Sequence, residues 1–204
     1  MKHLRAWFLP RNLDTLATLV AQLEVVEHML ATLSAWIRGK PSDTSVIELR
    51  EFAEAEQNFR RQLNTEVRQS FSTPLESEDL FEFGEALGEI AACTYALVRE
   101  GDLSNTGPDG CLQDIVEAIS NAFVSLASAI RALPHARAAK MADETLRRLT
   151  VVEHSYRAAI EDLENEPNLH HELRRRELYR RSEHLAAAVQ ALARRVSYAV
   201  FKTE

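Results

Sequence analysis

Long apolar runs are what this chain most plainly lacks: among 204 residues, none approaches the roughly 20 uninterrupted apolar residues that span a bilayer. The opening, Met1 to Pro10, holds one apolar cluster, Trp7-Phe8-Leu9, too short for the core of a signal peptide. The expectation is a cytoplasmic protein. Cysteine is also scarce. Cys93 and Cys111 stand in unrelated contexts and make neither a metal motif nor a redox motif, as suits two thiols in a reducing compartment. A surplus of positive charge is missing too, with 24 Lys and Arg against 31 Asp and Glu and a formal net charge of −7. Nucleic-acid binding calls for a basic face, so no nucleic-acid partner is expected. No segment alternates with a period of two, which removes strands from the reading. Nothing resembles a phosphate-cradling glycine loop, and no Ser-His-Asp or Cys-His constellation follows from spacing.

What is present is the balance of a folded chain, with 46% hydrophobic and 27% charged residues and enough length for one large or two small cores. Six prolines, Pro10, Pro41, Pro74, Pro108, Pro134 and Pro167, all fall between periodic segments. Proline breaks helix interiors but suits helix starts. Each intervening segment repeats its apolar residues at three- and four-residue steps, the mark of one buried helical face. In the first segment these are Leu13, Leu16, Val20, Leu23, Leu30, Leu33 and Ile37, with Glu27 in one slot. In the fourth, the cleanest, they are Leu112, Ile115, Ile119, Phe123, Leu126, Ile130 and Leu133. The sequence therefore predicts an all-α protein of six long helices. Asp43-Thr44-Ser45 and Ser77-Glu78 are expected to cap the second and third helices. Short connections should make them antiparallel neighbours in bundles.

The second half repeats the first. Leu49-Arg50 aligns with Leu146-Arg147, Glu56 with Glu153, Phe59-Arg60 with Tyr156-Arg157, Glu85 with Glu183 and Leu87 with Leu185, and the proline spacings are similar. This predicts a duplicated three-helix unit, residues 1–104 and 105–204.

The stretch Gln69-Ser70-Phe71-Ser72-Thr73-Pro74-Leu75-Glu76-Ser77-Glu78-Asp79-Leu80 resembles the Phe-x-Thr-Pro turn and acidic helix start of the PhoU-like family, in the branch associated with Pit-type phosphate transporters. The opening segment around Pro10 and Arg11, the Glu153-x-x-Tyr156-Arg157 string and the closing Ala199-Val200-Phe201-Lys202 are similar to that family as well. The resemblance implies two tandem three-helix bundles in one compact domain and a non-enzymatic regulatory role in phosphate transport. It implies as partner a membrane phosphate transporter of the Pit type or a phosphate-signalling protein. Peripheral association with the inner face of the membrane and homo-oligomerisation are both compatible with it.

The resemblance also implies paired acids, four residues apart on each of four helices, holding iron or zinc. Residues at that spacing share a helix face. This chain departs from the pattern. Glu85 and Glu89 keep the pair on the third helix, but the partner slots of Glu56, Glu153 and Glu183 hold Phe52, Leu149 and Ala187. Five candidate ligands remain, Glu56, Glu85, Glu89, Glu153 and Glu183, where the family pattern has eight.

Two readings of the acids stand side by side. Glu56 and Glu153 fall on apolar stripes, where an unpaired carboxylate is costly. Either a metal offsets that cost, or Arg60 and Arg157, each four residues on, pair with them along the helix. Glu24 with His28 is a further pair at that spacing, and His170-His171 near a helix start reads as solvated. The Glu-x-x-His motif of diiron enzymes is absent, since Val25, Val151 and Arg181 occupy the glutamate positions. The basic runs Arg147-Arg148, Arg174-Arg175-Arg176, Arg180-Arg181 and Arg194-Arg195 read as solvated helix faces, or else as a surface for phosphate or anionic lipid.

Overall fold

The structure is a computed structural model that describes residues 14–70, 73–164 and 166–203. The apolar cluster and Pro10 of the opening, Leu13, and Phe71 and Ser72 of the Thr-Pro turn lie outside the described residues. Six helices and no strand are found among the described residues: α1 (Thr15–Ile37), α2 (Ser42–Gln69), α3 (Ser77–Leu103), α4 (Gly110–Arg131), α5 (Arg137–Leu163) and α6 (Leu169–Thr203).

The helix starts differ from those expected. α2 begins at Ser42 behind Pro41 and α3 at Ser77 behind Glu76, and neither cap side chain bonds to the helix. Asp43-Thr44-Ser45 and Ser77-Glu78 therefore sit inside the first turn rather than capping it, because proline and an extended Glu76 already set the entry. Short-acid capping occurs instead at the starts of α1 and α4. Asp14 Oδ1 accepts the Ala17 N–H at 3.0 Å, and Asp109 Oδ1 accepts the Leu112 N–H at 2.8 Å. α1 ends at Gly39, whose φ of 101° is the left-handed conformation that glycine adopts freely, with its N–H donating to the Trp36 carbonyl at 2.9 Å.

The helices pack as two triplets. α1, α2 and α3 each touch the other two, as do α4, α5 and α6; α3 against α6 and α1 against α4 join the triplets. Buried side chains from all six helices form one hydrophobic cluster, including Leu23, Leu33, Phe83, Leu87, Leu126, Leu185 and Val196. α1 is long and apolar enough to cross a bilayer by length and composition alone. Here it is a core helix, in contact with α2, α3 and α4. Contact on several sides widens its buried face beyond the single expected stripe. Thr15, Thr18, Leu19, Gln22, Val26, Met29 and Trp36 are buried, whereas Leu16, Val20 and Glu27 are half-buried.

At one end of the α3–α6 seam lies a clamp of charge. Asp79 in the first turn of α3 is 1% exposed and meets Arg195 Nη2 at 2.9 Å and Lys202 Nζ at 2.8 Å, both from α6. Lys202 also reaches Glu76 at 2.5 Å. The acidic helix start therefore joins the triplets in addition to facing the positive end of its own helix.

Candidate functional site

The α2–α3 groove gathers two of the five candidate glutamates. Glu56 projects from the inner face of α2 and is 2% exposed, while Glu85 rises from α3 half-buried. Between them lies Arg60, one turn after Glu56. Its Nε stands 3.5 Å from Glu56 Oε1, and its Nη1 donates to Glu85 Oε2 at 3.0 Å. Asn64 Nδ2 donates to Glu85 Oε1 at 3.2 Å. From α1, Gln22 Nε2 donates both to Glu56 Oε1 at 2.8 Å and to the Gly84 carbonyl at 2.7 Å. With two acceptors beside it, the Gln22 amide must turn its NH2 toward them. Its own Oε1, buried, finds no hydrogen bond among the described residues.

Two glycines of α3 make room for this group. A Cβ on Gly88 would stand 2.8 Å from Arg60 Nη1, 3.0 Å from its Cζ and 3.1 Å from Glu56 Oε1. A Cβ on Gly84 would stand 2.9 Å from Leu63 Cδ2. The guanidinium thus lies across bare α3 backbone. Burial pushes the Glu56 carboxyl above its ordinary range, although Arg60 and the Gln22 hydrogen bond both pull it down, and the neighbouring Glu85 charge adds to the rise.

The remaining candidates lie elsewhere. Glu89 is exposed and accepts a weak hydrogen bond from Cys93 Sγ at 3.6 Å. Burial, with the Glu89 charge beside it, raises the Cys93 thiol to about 11, an unreactive value. Glu153, expected on a buried stripe, is exposed instead. It pairs with Arg157 on the same helix, both side chains being more than half in solvent. Glu183 is also exposed. Glu153 and Glu183 face one shallow groove of about 220 Å³ between α5 and α6, floored by Leu149, Val152 and Ala186.

The two grooves correspond by chain position, and their difference has a residue-level cause. Leu19, Val26 and Leu33 of α1 match Val116, Phe123 and Ile130 of α4, so Gln22 falls on Ile119. Matching Glu85 to Glu183 places Ala186 at Gly88 and Ser182 at Gly84. The second groove therefore lacks the amide donor and carries a methyl where the first has bare backbone. Its arginine turns outward.

The acids do not assemble a metal-ligand set. Among the described residues no three of His, Cys, Asp and Glu are grouped so that they could hold a metal ion. Iron or zinc needs several donors around one centre. The two acids that do meet are already bridged by a guanidinium, whose charge would repel a divalent ion. The donor chemistry of this groove does not suit the metal that the family resemblance implies.

Histidines and arginines are engaged in other ways. His28 Nδ1 meets the Glu24 backbone oxygen at 2.7 Å rather than its carboxylate, and the ring stacks on Phe52 with centroids 5.6 Å apart. His171, expected to be solvated, meets Glu166 at 2.7 Å and receives a bond from Arg175 Nε at 3.0 Å. Arg175 in turn pairs with the α4 cap Asp109, which also accepts Tyr179 Oη at 2.6 Å. Members of each expected basic run meet acids: Arg148 meets Glu144, Arg181 meets Glu100 and Glu177, and Arg195 meets Asp79.

Gln22, Asn64 and the two glycines were not singled out from the sequence. The glycines carried a signal, since a helix interior tolerates glycine poorly unless another group comes close. Gln22 carried none, because a lone amide among apolar neighbours has no recognisable spacing.

No family model matches the chain, and no curated protein matches it. Solved structures do. One, described as a PhoU-like phosphate regulatory protein from Shewanella oneidensis MR-1, superposes with a TM-score of 0.72 at 16% identity. The match covers 92% of this chain and 99% of that one. A second, a PhoU-like protein from the same organism, gives 0.72 at 15% identity with the same coverage. At such identity the likeness establishes the fold alone: this chain shares the all-helical bundle of those two structures.

Proposed function

We propose that the protein is a non-enzymatic regulator of inorganic phosphate uptake. It acts by binding a membrane phosphate transporter of the Pit type, or a phosphate-signalling protein, from the cytoplasmic face of the membrane. The observation that carries this reading is the extent of the fold match, which takes in 92% of this chain and 99% of a protein described as a PhoU-like phosphate regulator. Shared fold is an analogy for function, and the sequence resemblance at the Thr-Pro turn supports it independently. A regulator of this kind works by binding one state of its partner more tightly than another, which requires no reacting group.

The test is deletion of the gene followed by measurement of labelled phosphate uptake and of phosphate-starvation signalling in the same cells. A change in either, restored by the intact gene, supports the proposal. Unchanged uptake and signalling would leave a helical adaptor with no phosphate link. Cross-linking from the α5–α6 face, followed by identification of the captured membrane protein, separates a transporter from a signalling partner.

A further inference from the structure

We infer that Arg60 is the resident cation of the first triplet, a built-in guanidinium doing between Glu56 and Glu85 what a bound metal would otherwise do. Three independent features converge on it. Arg60 contacts both acids, at 3.5 and 3.0 Å, from two different helices. Gly88 leaves the space in which the guanidinium lies, since a β-carbon there would stand 2.8 Å from its Nη1 and 3.0 Å from its Cζ. The other donors to these carboxylates are neutral amides: Gln22 reaches the same Glu56 Oε1 that Arg60 faces, and Asn64 reaches Glu85 Oε1.

The charge balance follows. A metal site of carboxylates needs an excess of negative charge to offset a divalent ion. Here two carboxylates face one fixed cation, and a divalent ion entering the groove would meet like charge and have to expel a side chain held by both acids. The second triplet shows the reverse arrangement. Ala186 and Ile119 stand at the positions of Gly88 and Gln22, and Arg157 points to solvent. In the first groove a cation of the chain itself lies between two acids, whereas in the second Arg157 meets Glu153 alone at the surface. The integrity of the first groove is accordingly indifferent to metal supply and to chelators.

The experiment uses the full chain, freed of any histidine tag and purified without chelators. Zn²⁺ and Fe²⁺ are titrated separately, with binding followed by calorimetry and thermal midpoint measured with and without EDTA. The expected result is a midpoint unmoved by either metal or EDTA. Stoichiometric metal in the wild-type protein that disappears in the Glu56→Gln, Glu85→Gln double variant would overturn the inference. A second arm measures coupling. Arg60→Met should lower the midpoint by roughly 5–10 °C, the cost of stranding a buried carboxylate. Gly88→Ala should lower it in the same direction by crowding the guanidinium, and Arg60→Lys should recover part of the loss. Should Arg60→Met fail to fold, the Glu56→Gln, Arg60→Met pair removes both charges and should fold with a midpoint nearer the wild type. Additive effects of the Glu56 and Arg60 substitutions would show that the two do not interact, and the inference would fail.

Discussion

Arg60 on α2 and Arg157 on α5 each stand four residues after a glutamate, and their surroundings differ. The first lies in a groove against Glu56, which is 2% exposed; the second lies in solvent beside Glu153. Exposed pairs contribute little because water screens them and two long side chains must be held still. Arg157→Ala should therefore change unfolding free energy by no more than about 0.5 kcal/mol in chemical denaturation. Glu56 makes a prediction with a definite sign in pH. Its folded carboxyl binds a proton more tightly than the unfolded chain, whose value lies near 4.5. The contribution is present in full below that value and is lost as pH rises through the raised folded value. Glu56→Gln removes it. Over the range from about 4.5 upward, the variant should lose less stability with rising pH than the wild type does, as denaturant midpoints at each pH would show. An identical slope in both proteins would mean that Glu56 is not strained by burial.

At the scale of the helix, the ends of α1 and α3 approach closely. Trp36 is 1% exposed, its Nε1 donates to Ser42 Oγ at 2.9 Å, and its ring lies against Gly101. A Cβ on Gly101 would stand 2.5 Å from Trp36 Cζ2, and a rigid, buried indole has nowhere to move. Gly101→Ala should cost about 1–3 kcal/mol, with tryptophan fluorescence changing in the native state. The helices themselves were legible in the sequence because proline positions and a 3.6-residue period are local signals, and none of the six helices among the described residues contains a proline. Cap positions were not legible, since Pro41 and Glu76 set the entry geometry that Asp43 and Ser77 were expected to set. Site contacts were partly legible. The pairing of Glu56 with Arg60 and of Glu153 with Arg157 follows from residues four apart on one helix, and both pairs are present. The bridge from Arg60 to Glu85, the amide of Gln22 and the burial difference between Glu56 and Glu153 depend on which helices lie side by side. No spacing within one helix carries that information.

In the molecule as a whole, the triplets meet along α3–α6 and α1–α4, and the Asp79 clamp fastens one end of that seam. Asp79→Ala leaves Arg195 and Lys202 facing each other without their shared acid. The expected outcome is a thermal midpoint lower by roughly 5–10 °C. The unfolding transition should also broaden as the triplets begin to separate independently. A sharp transition at an unchanged midpoint would show that apolar contacts alone hold the seam.

That seam also has a consequence for how the chain is born. α3 leaves the ribosome long before α6 is made, so the first triplet must form with its α6-facing side, Asp79 included, still uncovered. During that interval the nascent chain exposes apolar surface that the finished protein hides. That side of the first triplet stays uncovered until α6 has been made and has docked against α3.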